Sequence, residues 1–338
     1  MPALFERTQV GKREDLADYI TLVDAKDTPV TSMIPKGNKP GNTLLQWQAD
    51  NMPNPSTAGS VDGVDVSSYE NLNSGRAILT NYIQVFQRAI RVSPLSVDVS
   101  IVAGLRDELA GMVAKGIKTL KRDMEATICS DNAAQVDAGF PYPTPGGVST
   151  PTPYLTKALG VWIANAAGTV APIPTDYLTP TTSINTTATG SFSETDAQGV
   201  LTSIYNQTGQ MKTYDTVVGP TLKRAFSNLL FTANASASTN TFASIRTLSR
   251  DAFSDTISSS VDLFEGDFGS LRLHPTLFNP NAFRGYVLDM DLLELRYTNL
   301  PQVTELPDAG GGPARLIKAV AGLVCKNPLG LGKFSASS

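Results

Sequence analysis

Histidine is nearly missing from this chain. His274 is the single imidazole among 338 residues, and cysteine occurs only at Cys129 and Cys325. A Ser-His-Asp triad or a Cys-His pair would have to be built around His274, which precedes Pro275 in a strand-like stretch. It reads more simply as a strand histidine facing solvent or a neighbouring subunit. Zinc sites draw on several His or Cys at short spacing, and these residues lie far apart, so neither a metal nor a cofactor is expected. The two cysteines support no disulfide framework and are expected as buried thiols in a protein of a reducing cytoplasm.

Charge is also scarce, at 17% of residues, and 27 Lys and Arg against 31 Asp and Glu leave a net charge of -4. That balance provides no broad basic surface, which excludes sequence-specific nucleic-acid binding. No apolar run approaches the ~20 residues of a membrane span. Met1-Pro2-Ala3-Leu4-Phe5-Glu6-Arg7 reaches charge too early for a signal peptide, so synthesis in the cytoplasm and no membrane partner are expected. Phosphate loops are missing too. Gly310-Gly311-Gly312-Pro313 loses an amide at its proline, and Gly330-Leu331-Gly332-Lys333-Phe334 lacks the hydroxyl that would hold magnesium. Asp262, Glu265, Asp267, Asp289, Asp291 and Glu294 could be imagined as a calcium site or a glycosidase pair, but they lack EF-hand spacing and read as solvated strand or turn positions.

What the chain does have is 22 prolines and 27 glycines spread along its length, which favours strands and loops over long runs of helix. Residues 1–36 are mixed and polar, with a short helical pattern at Leu16, Tyr19, Ile20 and Val23. Residues 37–74 are rich in Pro, Gly and Asn around the strand-like Thr43–Gln48, and a loop so long and poor in apolar residues needs something outside its own domain to lie on. Residues 76–92 return as a strand. Ser93 then caps a helix that begins at Pro94, and apolar residues recur in steps of three and four at Leu95, Val99, Val102, Leu105, Leu109, Val113, Ile117, Leu120, Met124 and Ile128. That single stripe predicts a helix of about 35 residues, roughly 50 Å long. Lys118, Lys121, Arg122, Asp123 and Glu125 fall on its other faces and read as a solvated surface, with Lys121 and Glu125 spaced as an i,i+4 pair.

Residues 132–193 carry only Asp137, Lys157 and Asp176 as charged side chains and read as irregular surface. A helix over Glu194–Gln210, a strand at Thr216–Val218, a helix over Leu222–Leu230, a hairpin within Thr256–Phe278 and a strand in Ala314–Phe334 complete an α+β chain.

This order resembles the Hong Kong 97-type fold of tailed-bacteriophage major capsid proteins. The motifs that carry the resemblance run in sequence from Asp27-Thr28-Pro29-Val30 through Gln46-Trp47-Gln48-Ala49-Asp50, Asn81-Tyr82-Ile83-Gln84, Val92-Ser93 and Leu120–Glu125. Leu159–Ile163, Asp215–Val218, Phe264–Gly269 and Leu323–Pro328 extend it over nearly the whole chain. The resemblance implies an N-terminal arm (1–36), an extended loop with returning strand (37–92), a peripheral domain with a spine helix (93–131), an axial domain (132–285) and a return to the peripheral domain (286–338). It implies a non-enzymatic coat protein that self-assembles through pentamers and hexamers into an icosahedral shell. The shell would enclose double-stranded DNA without sequence specificity and be served by scaffolding, portal and decoration proteins. An encapsulin-like compartment shares the fold and is the alternative. Gln46, Trp47, Asp50, Arg76, Lys121, Arg122 and Glu125 are the expected subunit contacts. Trp47 would either anchor the loop on a neighbour or cover its own core, and both readings stand at this point. Some such proteins weld subunits through a loop lysine. Here no lysine occurs between Lys39 and Lys115, so no weld is expected at the loop.

Overall fold

A computed structural model describes residues 28–53, 55–99, 108–137, 152–229, 261–308 and 310–337. The helix expected around Leu16–Val23 lies outside them.

After a five-residue helix α1 (Pro29–Met33), strands β1 (Leu44–Ala49) and β2 (Ala77–Tyr82) pair antiparallel from Leu44↔Tyr82 to Ala49↔Ala77. This two-stranded ribbon carries residues 50–76 at its far end. Strand β3 (Gln84–Arg91) follows, and then α2 (Pro94–Val99) and α3 (Glu108–Cys129) take up the expected spine. Positions 100–107 between them lie outside the described residues. At ~1.5 Å per residue α3 alone is roughly 33 Å long. Its apolar stripe is buried where it meets the body, at Leu120, Met124 and Ile128, whereas Leu95 on α2 is exposed.

Strands β9 (Leu293–Leu306) and β10 (Ala314–Cys325) join β3 in a three-stranded antiparallel sheet ordered β3-β10-β9. β10 is central and is buried along most of its length, so its run from Ala319 to Cys325 is almost wholly apolar. β9 forms an edge. Its register against β10 slips between Gln302 and Asn299, so Pro301 falls at the irregularity, where a missing amide costs no ladder bond.

The second half of the body is a six-stranded sheet in the order β4-β11-β8-β5-β7-β6. It comprises β4 (Ile184–Thr187), β5 (Lys212–Val218), β6 (Leu263–Gly266), β7 (Gly269–Pro275), β8 (Gly285–Leu288) and β11 (Gly332–Ala336). The pairs β5/β7 and β4/β11 are parallel, and the expected hairpin is β6/β7. Helices α5 (Glu194–Thr208) and α6 (Pro220–Asn228) contribute Val200, Leu201, Leu222 and Phe226 to the core they share with this sheet. α5 starts where Asp196 accepts the Ser193 N–H (2.8 Å) and stops at Gly209, whose φ of 65° is the left-handed geometry glycine tolerates.

Within residues 132–193, where the composition suggested irregular surface, one stretch is buried while much of the rest that is described is exposed or partly exposed. The short helix α4 (Leu159–Trp162) is largely buried, with Lys157, Ile173, Tyr177 and Thr179 around it. Around α4 the scarcity of charge goes with burial. The carboxylates also divide. Asp262 and Asp291 are exposed as expected, but Asp289 and Glu294 are largely covered, the first paired with Lys212 (2.9 Å) and the second with Arg296 (2.9 Å). His274, partly buried, approaches Asp215 Oδ1 at 2.9 Å. Both cysteines are free and buried.

Candidate assembly site

The ribbon and its loop form one unit. Beyond the last backbone pair, Ala49↔Ala77, Arg76 donates from Nε (3.1 Å) and from one terminal nitrogen (2.9 Å) to Asp50 Oδ2, and also to Asn73 Oδ1. Asp50 and Arg76, expected at a subunit interface, thus meet within one chain as a further rung that closes the neck of the loop. Residues 51–74 that are described are all exposed. Met52, Val61, Val64, Val66, Tyr69 and Leu72 stand between 64% and 90% exposed, without cover from the described residues of their own chain.

At the other end the ribbon is rooted in the body. Trp47 is half-buried and lies against Trp162, ring centres 5.6 Å apart, so part of its ring packs on its own core and part stays uncovered. Gln46, its neighbour in β1, is exposed and sits across from Thr80. Under the ribbon lies a buried polar joint. Asn81 donates from Nδ2 to the Leu323 carbonyl (2.5 Å) and to Thr156 Oγ1 (3.1 Å), and accepts the Lys157 N–H (2.7 Å). The Lys157 ammonium sits 4.0 Å over the Trp162 ring and donates to the carbonyls of Ala171 (2.6 Å) and Thr80 (3.4 Å). Burial pushes its pKa from 10.5 down to about 8. Asn81, Thr156 and Lys157 escaped the list of expected site residues. The one available signal was a lone lysine in an otherwise almost uncharged stretch.

Glu125 corrects the expectation of a solvated face paired with Lys121. It is fully buried, and its carboxylate accepts the N–H groups of Val30 (2.9 Å) and Thr31 (2.8 Å), capping α1. Desolvation raises its pKa, against the lowering by those two amides. It has no surface left to offer a neighbour. Asp123 instead pairs twice with Arg88 on β3, at 2.7 Å each. Lys121 is exposed, and Arg122 packs 5.8 Å from the Phe278 ring. Between α1, α3 and β9 lies a cleft of about 690 Å³, into which Met33, Ile117, Met124 and Leu300 bring apolar surface. Of the expected contacts, then, Gln46, Trp47, Asp50 and Arg76 gather on the ribbon, while Lys121 and Arg122 lie on the spine.

Among the described residues no group of three or more His, Cys, Asp and Glu side chains could hold a metal, and no helix is long and apolar enough to cross a membrane.

Comparison with known proteins places this arrangement. The chain matches the SU10 major capsid protein family over residues 4–337. A curated relative, the major capsid protein of Escherichia phage Phieco32, is 30% identical over 138 residues, covering 39% of this chain and 37% of that protein. The fold matches the capsid of cyanophage P-SCSP1u with a TM-score of 0.58 and 9% identity over 99% of this chain and 97% of that one. It also matches a solved chain of Mycobacterium phage Bobi, with a TM-score of 0.58 and 13% identity over 97% and 96% of the two chains. The capsid of cyanophage A-1(L) is similar at 0.58 and 11% identity, covering 96% of each chain. The chain has the Hong Kong 97-like capsid fold and belongs to the SU10 major capsid protein family.

Proposed function

We propose that this chain is the coat subunit of a phage virion, assembling through pentamers and hexamers into an icosahedral shell around double-stranded DNA. The ribbon loop of each subunit lies over the spine helix α3 of a neighbour. The observation that carries this reading is the loop itself, six large apolar side chains held in solvent on a ribbon whose root and neck are both fastened. Six large apolar side chains exposed along one loop mark it as a surface for another molecule to cover. A loop reaching from one copy to a different patch on the next makes a heterologous contact, which closes into rings. The same reading assigns 132–285 to an axial domain around the symmetry axes, and scaffolding, portal and decoration proteins as further partners. The DNA needs no basic wall, consistent with the net charge of -4.

The test replaces residues 52–74 with an Asn-Gly turn, which closes the ribbon without entering the core. This variant is expected to unfold in the same transition as the unaltered chain, yet give no rings or shells by negative-stain microscopy and light scattering when co-produced with the neighbouring phage genes. Shells built without the loop would overturn the reading. Nuclease-protected DNA inside the shells fits a phage coat, whereas a protein cargo alone would turn it into an encapsulin-like compartment.

A further inference from the structure

We propose that the cleft between α1, α3 and β9 is the receptor for residues 61–66 of the loop of a second copy of this chain, an inference that rests on the loop-on-neighbour reading above. The two surfaces match in chemistry. Described loop residues between 51 and 75 include Asp62, Asp65 and Glu70, and the sequence there holds no Lys, Arg or His. The cleft is lined by Lys36 and Lys121, and among the described residues no carboxylate lines it. Anionic loop and cationic cleft therefore attract rather than repel.

The apolar parts match as well. Val61-Asp62-Gly63-Val64-Asp65-Val66 places three valines among two aspartates, and each valine is 68–74% exposed in its own subunit. The segment begins with a turn in which Val64 N–H reaches the Val61 carbonyl at 3.4 Å, and Gly63 adopts φ 76°. A glycine there lets the chain double back, so the tip is compact. The cleft, about 690 Å³, has the size of pockets that enclose small organic molecules, roughly 300–1,000 Å³, and so has room for a few aliphatic side chains. Burial of the valines against Met33, Met124 and Leu300 supplies the attraction, and the two lysines at hand set which way round the segment enters.

The test uses the full chain carrying Val64→Cys and Leu300→Cys, with particles assembled and then treated with a short bis-maleimide. Cys129 and Cys325 are buried and do not compete. A ladder of cross-linked multimers on a denaturing gel is expected from the double variant and from neither single one. Particles that form but give no ladder overturn the cleft as receptor and leave the loop reading intact, whereas failure of that reading shows separately, as shells made by the loop-deleted chain. A second cross-link, from Leu300→Cys to Val23→Cys within one chain, would seat the preceding arm in the cleft and also overturn the proposal. Charge reversal is the independent check. Lys36→Glu with Lys121→Glu, or Asp62→Lys with Asp65→Lys, is expected to lower particle yield about tenfold or more, and the four changes together to recover most of it. Four changes that add their losses instead of cancelling would count against the pairing.

Discussion

At the scale of single residues, Lys157 is the least ordinary group in the molecule, an ammonium with two carbonyls and an indole face for company. Its pKa falls from 10.5 to about 8 because burial disfavours the charged form. Between those values the unfolded chain keeps the proton and the folded chain does not. Stability therefore rises with pH across that window, and below about pH 8 this group contributes no pH dependence. The buried thiols of Cys129 and Cys325, whose pKa values are pushed up by desolvation, act in the opposite sense once the unfolded thiols ionise near 9. Because Cys325 and Lys157 each favour the other's charged form, both the parent chain and Lys157→Met are compared in a Cys325→Ala background, where the effect of Cys129 is common to the two. The expected outcome is that the chain with Lys157 gains on the variant by up to about 3 kcal/mol between pH 7.5 and 10, read from urea unfolding of the unassembled subunit. Parallel stability curves would show that the amine does not lose its proton in the fold.

At the scale of elements, α1 is too short to hold itself, and α3 holds it through Glu125. Glu125→Ala leaves two amides without their acceptor in a buried site. We expect it to cost about 2–4 kcal/mol, with α1 cleaved first in limited proteolysis. Unchanged stability and protection would mean that apolar contacts of Val30 and Ile34 suffice. The same pair shows where sequence reading succeeds and where it stops. Segments whose signal is local were legible: the Pro94 start, the apolar stripe from Leu109 to Ile128, the β6/β7 hairpin and the span of α5. β9, the longest strand, was not read, because its outer half is exposed and polar and it contains Pro301, which a lone sequence treats as a breaker. Glu125 and Lys157 were read as surface or passed over, since what turns them inward comes from segments as far as 95 and 77 positions away. The loop's exposure was legible from its composition. The neck pair Asp50–Arg76 was visible only as two charges, without any sign that they would meet each other.

At the scale of the whole molecule, the question is what keeps a shell together once assembled. A covalent weld needs an amine within reach of a neighbour, and the described residues of the loop are exposed throughout 51–74. Yet the sequence carries no lysine between Lys39 and Lys115, so neither ribbon strand nor the loop between them can supply one. Arg76 is no substitute, because a guanidinium stays protonated and is a poor nucleophile. On the proposed reading, cohesion comes from many moderate contacts, with the apolar loop against a neighbour's spine as the recurring one. Particles matured to their final form and boiled in detergent with reductant are accordingly expected to run as a single monomer band. Guanidinium, which solvates apolar and peptide groups, should dissociate them without any chemical cleavage. A ladder of multimers that survives boiling and reductant would refute this, and mass spectrometry of the linked peptides would then identify which lysine outside the loop had reacted.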